Sequence, residues 1–131
     1  MIAVEWSLEE PNVVIWKFTT PWTFNEFHAA KERVDAMIDG VEGLVDSIFL
    51  TTAEQRIPPS AVAHLRKIIE HQHKRHRYIV VVGAKSFLVT IIGIINQLFP
   101  NIELPFRFVE SQKEAYSILK ELRSKVDIAS I

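Results

Sequence analysis

Tyr78-Ile-Val-Val-Val-Gly-Ala84 is followed, after Lys85, by seventeen residues without a charge, Ser86 to Ile102. This block constrains the fold more than any other part of the chain. A strand reading Ile79-Val80-Val81-Val82, with no polar alternation, must be covered on both faces, as in a parallel sheet flanked by helices. The run after it reads as a helix stopped by Pro100, and it lacks the charged outer face that such a helix usually carries. A membrane-spanning helix needs about 20 predominantly apolar residues. Here Gly83, Lys85, Asn96, Gln97 and Pro100 interrupt the stretch, so a strand followed by a helix is expected and integral membrane insertion is not.

The flanking segments give the order of elements. Ala3 to Leu8 and Val13 to Thr19 read as a hairpin joined at Glu9-Glu10-Pro11-Asn12. Thr23 with Glu26 forms a capping box, and Trp22 can staple onto Phe27. This opens a helix reaching Gly40, with Phe27, Ala30, Val34, Met37 and Ile38 on one face. Leu44 to Leu50 is the next strand. A polar loop then leads to Pro58-Pro59-Ser60 and a second helix, whose inner face is Ala61, Leu65, Ile68, Ile69 and Gln72. After Tyr78 to Val82 and the uncharged helix come a short strand, Phe106 to Val109, and a last helix opened by the capping box Ser111-Gln-Lys-Glu114. The order β-β-α-β-α-β-α-β-α predicts an α/β fold: a mainly parallel, mixed five-stranded sheet with one antiparallel edge strand and four helices. Residues 1–126 read as one domain, and 127–131 as a short C-terminal tail prone to fray.

Composition excludes several functions. The chain of 131 residues has no cysteine, so disulfide, thiolate-metal and cysteine-nucleophile chemistry are out. A net charge of −1 offers nucleic acid nothing in bulk. The start, Met1-Ile-Ala-Val-Glu5, lacks the basic and apolar regions of a signal peptide, which with the missing cysteines leads us to expect a cytoplasmic location. Residues 1–55 hold ten acids and three bases, net −7, while residues 56–85 hold seven bases and one acid, net +6. That asymmetry suits complementary association.

The element order, with Phe108-Val-Glu-Ser-Gln-Lys-Glu-Ala115-Tyr-Ser-Ile-Leu119 closing the chain, resembles the STAS fold of the anti-sigma-factor antagonists, over nearly the whole length. The phrases Pro58-Pro59-Ser60, Leu65-Arg66, Gln72-His73, Val80-Val-Val-Gly-Ala84 and Leu98-Phe99-Pro100 resemble SpoIIAA-like bacterial proteins that are also similar to lipid-carrying domains. The resemblance implies a non-enzymatic regulatory or protein-interaction module, with a small apolar or lipid-like ligand as the alternative. In the antagonists an Asp-Ser-Ser-Gly or Asp-Ser-Thr-Gly motif carries the phosphorylated serine. Here the stretch reads Arg56-Ile-Pro-Pro-Ser60-Ala61, without the aspartate and the glycine, so the phosphoserine switch is not expected to operate in that form.

The candidate sites follow. Thr51, Thr52 and Ser60 form a rim at the carboxyl end of a strand, where open α/β sheets bind ligands; Ser60 is first of all a helix N-cap. Phe87, Thr90, Ile91, Gly93, Ile94 and Gln97 mark the uncharged helix as an interface for a protein partner or for self-association as a homodimer. Trp22, Phe24, Phe27, Phe87, Ile91 and Ile95 could line an apolar pocket. His64, His71, His73 and His76, interleaved with arginines and lysines, read as a solvated basic face rather than a metal cluster, and His28 reads as a polar rim residue. No catalytic set, metal site or cofactor loop emerges: a phosphate loop would need more glycines than Gly83-Ala84-Lys85-Ser86 provides.

Overall fold

The computed structural model describes residues 1–51, 61–83, 93, 94, 96, 97, 100 and 106–129. Among them lie five strands, β1 (Ile2–Trp6), β2 (Val13–Phe18), β3 (Val45–Leu50), β4 (His76–Val82) and β5 (Phe106–Val109), and three bounded helices, α1 (Phe24–Asp39), α2 (Ala61–Glu70) and α3 (Gln112–Ala129). The sheet runs β1-β2-β3-β4-β5. β1 is antiparallel to β2, and the other pairs are parallel. The expected mixed sheet with one antiparallel edge is present. Of the predicted uncharged helix, Gly93, Ile94, Asn96 and Gln97 are helical and the remainder lies outside the described residues.

Both sheet faces are covered, which is why β2 and β4 need no polar alternation. On one face Phe24, Phe27, Ala30, Val34 and Ile38 of α1 and Ile68 of α2 pack against Val14, Trp16, Phe49, Ile79 and Val81. On the other face Ala115 and Leu119 of α3 meet Val13, Ile15, Ile48, Val80 and Val82. The strands lie in chain order with α1 and α2 on a common face, as two successive crossovers of the same hand require.

The helix starts are local devices. Thr23 has an extended backbone, and its side chain accepts the Glu26 amide at 3.2 Å. The return half of this capping box is not made, since Glu26 Oε2 instead pairs with the Met1 amino group at 3.2 Å. The hairpin turns earlier than predicted because the Ser7 hydroxyl accepts the amides of Glu9 and Glu10, at 3.1 and 3.3 Å, leaving Leu8 exposed. Asn12 completes the turn with φ at 56°, a left-handed conformation that asparagine tolerates better than most residues. α1 ends without a left-handed cap, Gly40 being right-handed. The Gly40 amide reaches Ala36 O and Met37 O at 3.2 Å each, and the Arg75 guanidinium adds a bond to Ile38 O at 2.7 Å while holding the loop that follows through Val41 O at 2.8 Å and Gly43 O at 3.0 Å.

The β3–β4 register contains the decisive irregularity. Val45 lies opposite His76, but Ser47 lies opposite Ile79, so β4 spends three residues where β3 spends two. A β-bulge of this kind re-aims side chains. His76 and Ile79 turn to the α1/α2 face, while Arg77 and Tyr78 both turn to the α3 face. Asp46, fully buried on that face, takes up the disturbed backbone: its Oδ1 accepts the Tyr78 amide at 2.9 Å. The same carboxylate receives Arg77 through Nε and Nη2 at 3.2 and 3.1 Å, and Arg123 of α3 through Nε at 2.9 Å. Removing one partner of a buried ion pair typically costs about 3–5 kcal/mol, because the charges left behind are uncompensated. We expect Asp46→Asn to lower the unfolding free energy by about 3 kcal/mol in urea titration. A change within about 0.5 kcal/mol would mean that solvent, and not Asp46, balances the two arginines.

Candidate functional site

At the rim, Thr51 is committed to structure. Its backbone amide and its hydroxyl both donate to Val82 O, at 2.8 and 2.7 Å, tying the end of β3 to β4. A Cβ on Gly83 would overlap Thr51 Oγ1, so this strap needs a glycine opposite it. Thr52 and Ser60 lie outside the described residues.

In the uncharged segment Gly93, Asn96 and Gln97 are exposed, whereas Ile94 packs against the α1/α2 core. A Cβ on Gly93 would meet nothing within 4 Å. Of the expected interface residues, Gly93 and Gln97 therefore face outward and Ile94 faces in; Phe87, Thr90 and Ile91 lie outside the described residues. The aromatic half of the expected apolar pocket is filled by its own rings. Trp22 contacts Phe24 at 5.4 Å and Phe27 at 6.3 Å between centroids, and Phe27 stands 5.2 Å from Trp16 and 5.9 Å from Phe49. Phe87, Ile91 and Ile95, the other half, lie outside the described residues. The cavity left between Phe27, Phe49 and Ile68 is about 20 Å3, the space of a single water.

Polar groups on one wall of that cavity were not anticipated. Trp16 Nε1–H donates to Ser47 Oγ at 3.0 Å, and the Ser47 hydroxyl stands 2.7 Å from His76 Nε2. An indole N–H can only donate, so the arrangement that satisfies all three groups has Ser47 donating onward to a neutral imidazole. Burial brings the His76 pKa down to about 4, with Asp46 and Asp35 pulling the other way. Asp35 Oδ2 holds Lys31 Nζ at 2.8 Å, while its Oδ1 is buried with no hydrogen-bond partner. This inward turn of His76 is set by the bulge, and strict alternation along β4 cannot reveal it.

The basic run is therefore not the uniformly solvated face expected from sequence. His73 accepts the Arg75 amide at Nδ1 (3.1 Å), which leaves Nε2–H to donate to Asp39 at 2.8 Å. That hydrogen bond holds the Asp39 carboxyl below the usual range. Arg75 caps α1, Arg77 neutralises Asp46, and Arg66 pairs with Glu70 at 3.0 Å. Of these, Arg77–Asp46 is an ion pair between the acidic and the basic segments.

The remaining polar concentration is a cleft of about 260 Å3 between α1 and α2, lined by His28, Lys31, Glu32, Lys67, Ile68 and His71. His28 Nε2 lies 2.9 Å from His64 Nδ1, and the His64 ring stacks on Phe24 at 4.7 Å. Burial lowers the His28 pKa, helped by the positive charges of His64, Lys67 and Lys31 and opposed by Glu32. Among the described residues, no group of three or more His, Asp or Glu is placed to hold a metal ion, and no helix is long and apolar enough to cross a membrane.

No protein-family model, curated protein or solved structure matches the chain significantly.

His76 supplies a pH test. Its ordinary pKa of 6.5 falls to about 4 in the fold, so the folded state binds this proton later than the unfolded chain does. The stabilising effect is complete above pH 6.5, declines as pH falls and is lost by about pH 4, a span worth about 3 kcal/mol. Urea titrations between those limits should show a smaller acid-side loss of stability in His76→Gln than in the parent; parallel curves would contradict a neutral buried imidazole.

Proposed function

We propose that the chain is a non-enzymatic STAS-like interaction module that acts as a homodimer, docking through the outward face of its uncharged helical segment and working without the phosphoserine switch. The observation that carries this reading is the face of Gly93, Asn96 and Gln97, exposed in a stretch with no charge from Ser86 to Ile102. In a two-fold symmetric contact, residues near the axis meet their own copies, so a charge there meets its like. A charge-free face avoids that repulsion. Gly93, with open space where a Cβ would stand, lets the backbone of a second copy approach closely.

Further support comes from the histidines, whose described contacts have structural explanations: His76 bonds Ser47, His73 bonds Asp39, and His28 bonds His64. The replaced serine motif at Arg56 to Ala61 favours constitutive association over a kinase-controlled one. The carrier reading draws less support. Its aromatic residues fill their own space, and the cavity of about 20 Å3 beside them is far below the roughly 300 Å3 of a typical ligand pocket.

Light scattering on the purified chain should give twice the 15.1 kDa mass. Gly93→Arg should give the monomer with an unchanged far-ultraviolet circular dichroism spectrum, since the introduced guanidinium would face its own copy. A parent protein that stays monomeric across a concentration series, or a dimer that tolerates Gly93→Arg, would remove this docking face.

A further inference from the structure

The α1/α2 cleft has a charge pattern that neither the fold nor a dimer through the uncharged face explains. Two lysines and two imidazoles line it, Lys31 and His28 from α1, Lys67 from α2 and His71 just beyond, and a third imidazole, His64 of α2, adjoins them through His28. Two acids oppose them. Asp35 is occupied by Lys31 at 2.8 Å, and Glu32 stands at the exposed margin. Lys67 is exposed and makes no ion pair among the described residues.

The imidazoles are held in place. His71 Nδ1–H donates to Lys67 O at 2.9 Å, so its Nε2 is an acceptor in the neutral ring and donates to an anion only once the ring is protonated. His64 is pinned between the Phe24 ring and His28. The field inside is net positive: at His28 the charges of His64, Lys67 and Lys31 act against protonation, and Glu32 acts the other way as the smallest of these influences. Burial is the larger reason that His28 is harder to protonate, and the cations add to it; it is their field, from Lys67, Lys31 and His64, that would favour an anion here.

The geometry points to an oxyanion-binding site in this cleft, taking a small dianion such as free phosphate or a phosphomonoester, with Lys67 as the charge partner and His28 and His71 as hydrogen-bonding walls. A dianion fits better than a carboxylate because Lys67 and one protonated imidazole together offer two positive charges. An imidazole gains its charge between about pH 8 and pH 5, so binding should tighten as pH falls. The cleft volume of about 260 Å3 accommodates a phosphoryl group with a small substituent.

The test is an NMR titration of the full chain with sulfate, whose charge stays constant across the range, near pH 6 and near pH 8. Resonances of His28, His64 and Lys67 should shift saturably, with tighter binding at the lower pH. Lys67→Ala should weaken binding about tenfold, the worth of one hydrogen bond to a charged group. Lys74→Ala, which removes an exposed lysine that does not line the cleft, should leave it unchanged. Because binding and protonation are reciprocal, saturating sulfate should raise the titration midpoint of His28. Shifts that do not saturate, that survive Lys67→Ala undiminished, or that leave the His28 midpoint in place would overturn the site. Repeating the titration with inorganic phosphate and with glycerol 3-phosphate separates the two sources: a clear preference for the ester assigns a phosphomonoester, and equal affinity assigns the free oxyanion.

Discussion

One carboxylate sets the geometry on which the rest of the sheet depends. Asp46 is fully buried in β3 and accepts four hydrogen bonds, from the Tyr78 amide, from Arg77 twice and from Arg123. An ionised carboxylate in the interior costs several kcal/mol in desolvation, and it persists here because each donor also answers a second need. The amide belongs to the bulged segment of β4. Arg123 also donates to Pro11 O at 2.9 Å and Asn12 O at 3.0 Å, so α3 is tied to the β1–β2 turn through the same side chain. Sheet register, hairpin turn and terminal helix meet at a single residue.

The bulge that Asp46 stabilises has its effect on the opposite face. It rotates His76 into the α1/α2 layer, where Ser47 and Trp16 extend the polar line into an otherwise aromatic core. The same layer ends at the surface in the α1/α2 cleft, and Lys31 and Ile68 border both the inner cavity and the outer cleft. The Lys31–Asp35 pair therefore stands between a dry interior and a wet groove. An ion pair on such a boundary is less exposed to screening than one on an open surface.

Features that depend on neighbours in sequence were legible, and features that depend on register or distant pairing were not. The charge-free strand Ile79 to Val82 required cover on both faces and has it. Thr23 and Ser111 were readable as caps because each meets an amide three residues ahead, Glu26 and Glu114. What failed was the reading of the basic run as a solvated face up to a strand beginning at Tyr78: β4 already begins at His76, and nothing in those letters announces its bulge. Equally invisible was the pairing of His28 with His64, 36 residues apart, which exists only because α1 and α2 lie side by side. Helical spacing could place His64 and His71 on one helix, but it could not supply the wall contributed by the other.

The charge asymmetry between residues 1–55 and residues 56–85 first suggests a partner of opposite polarity. Part of the basic segment does internal work instead: Arg75 closes α1, His73 meets Asp39, and Arg77 meets Asp46. Once these are satisfied, two surfaces stand out for recognition, and they differ in kind. The face of Gly93, Asn96 and Gln97 has no charge and suits a surface that repeats itself. The cleft holds Lys67, which makes no ion pair among the described residues, beside imidazoles that add positive charge when protonated. Association through the first leaves the second unencumbered on electrostatic grounds, because a neutral contact brings no countercharge with it. The proposed dimerisation and the proposed oxyanion binding are thus separable by charge alone: added salt should screen the cleft and leave the neutral contact largely untouched.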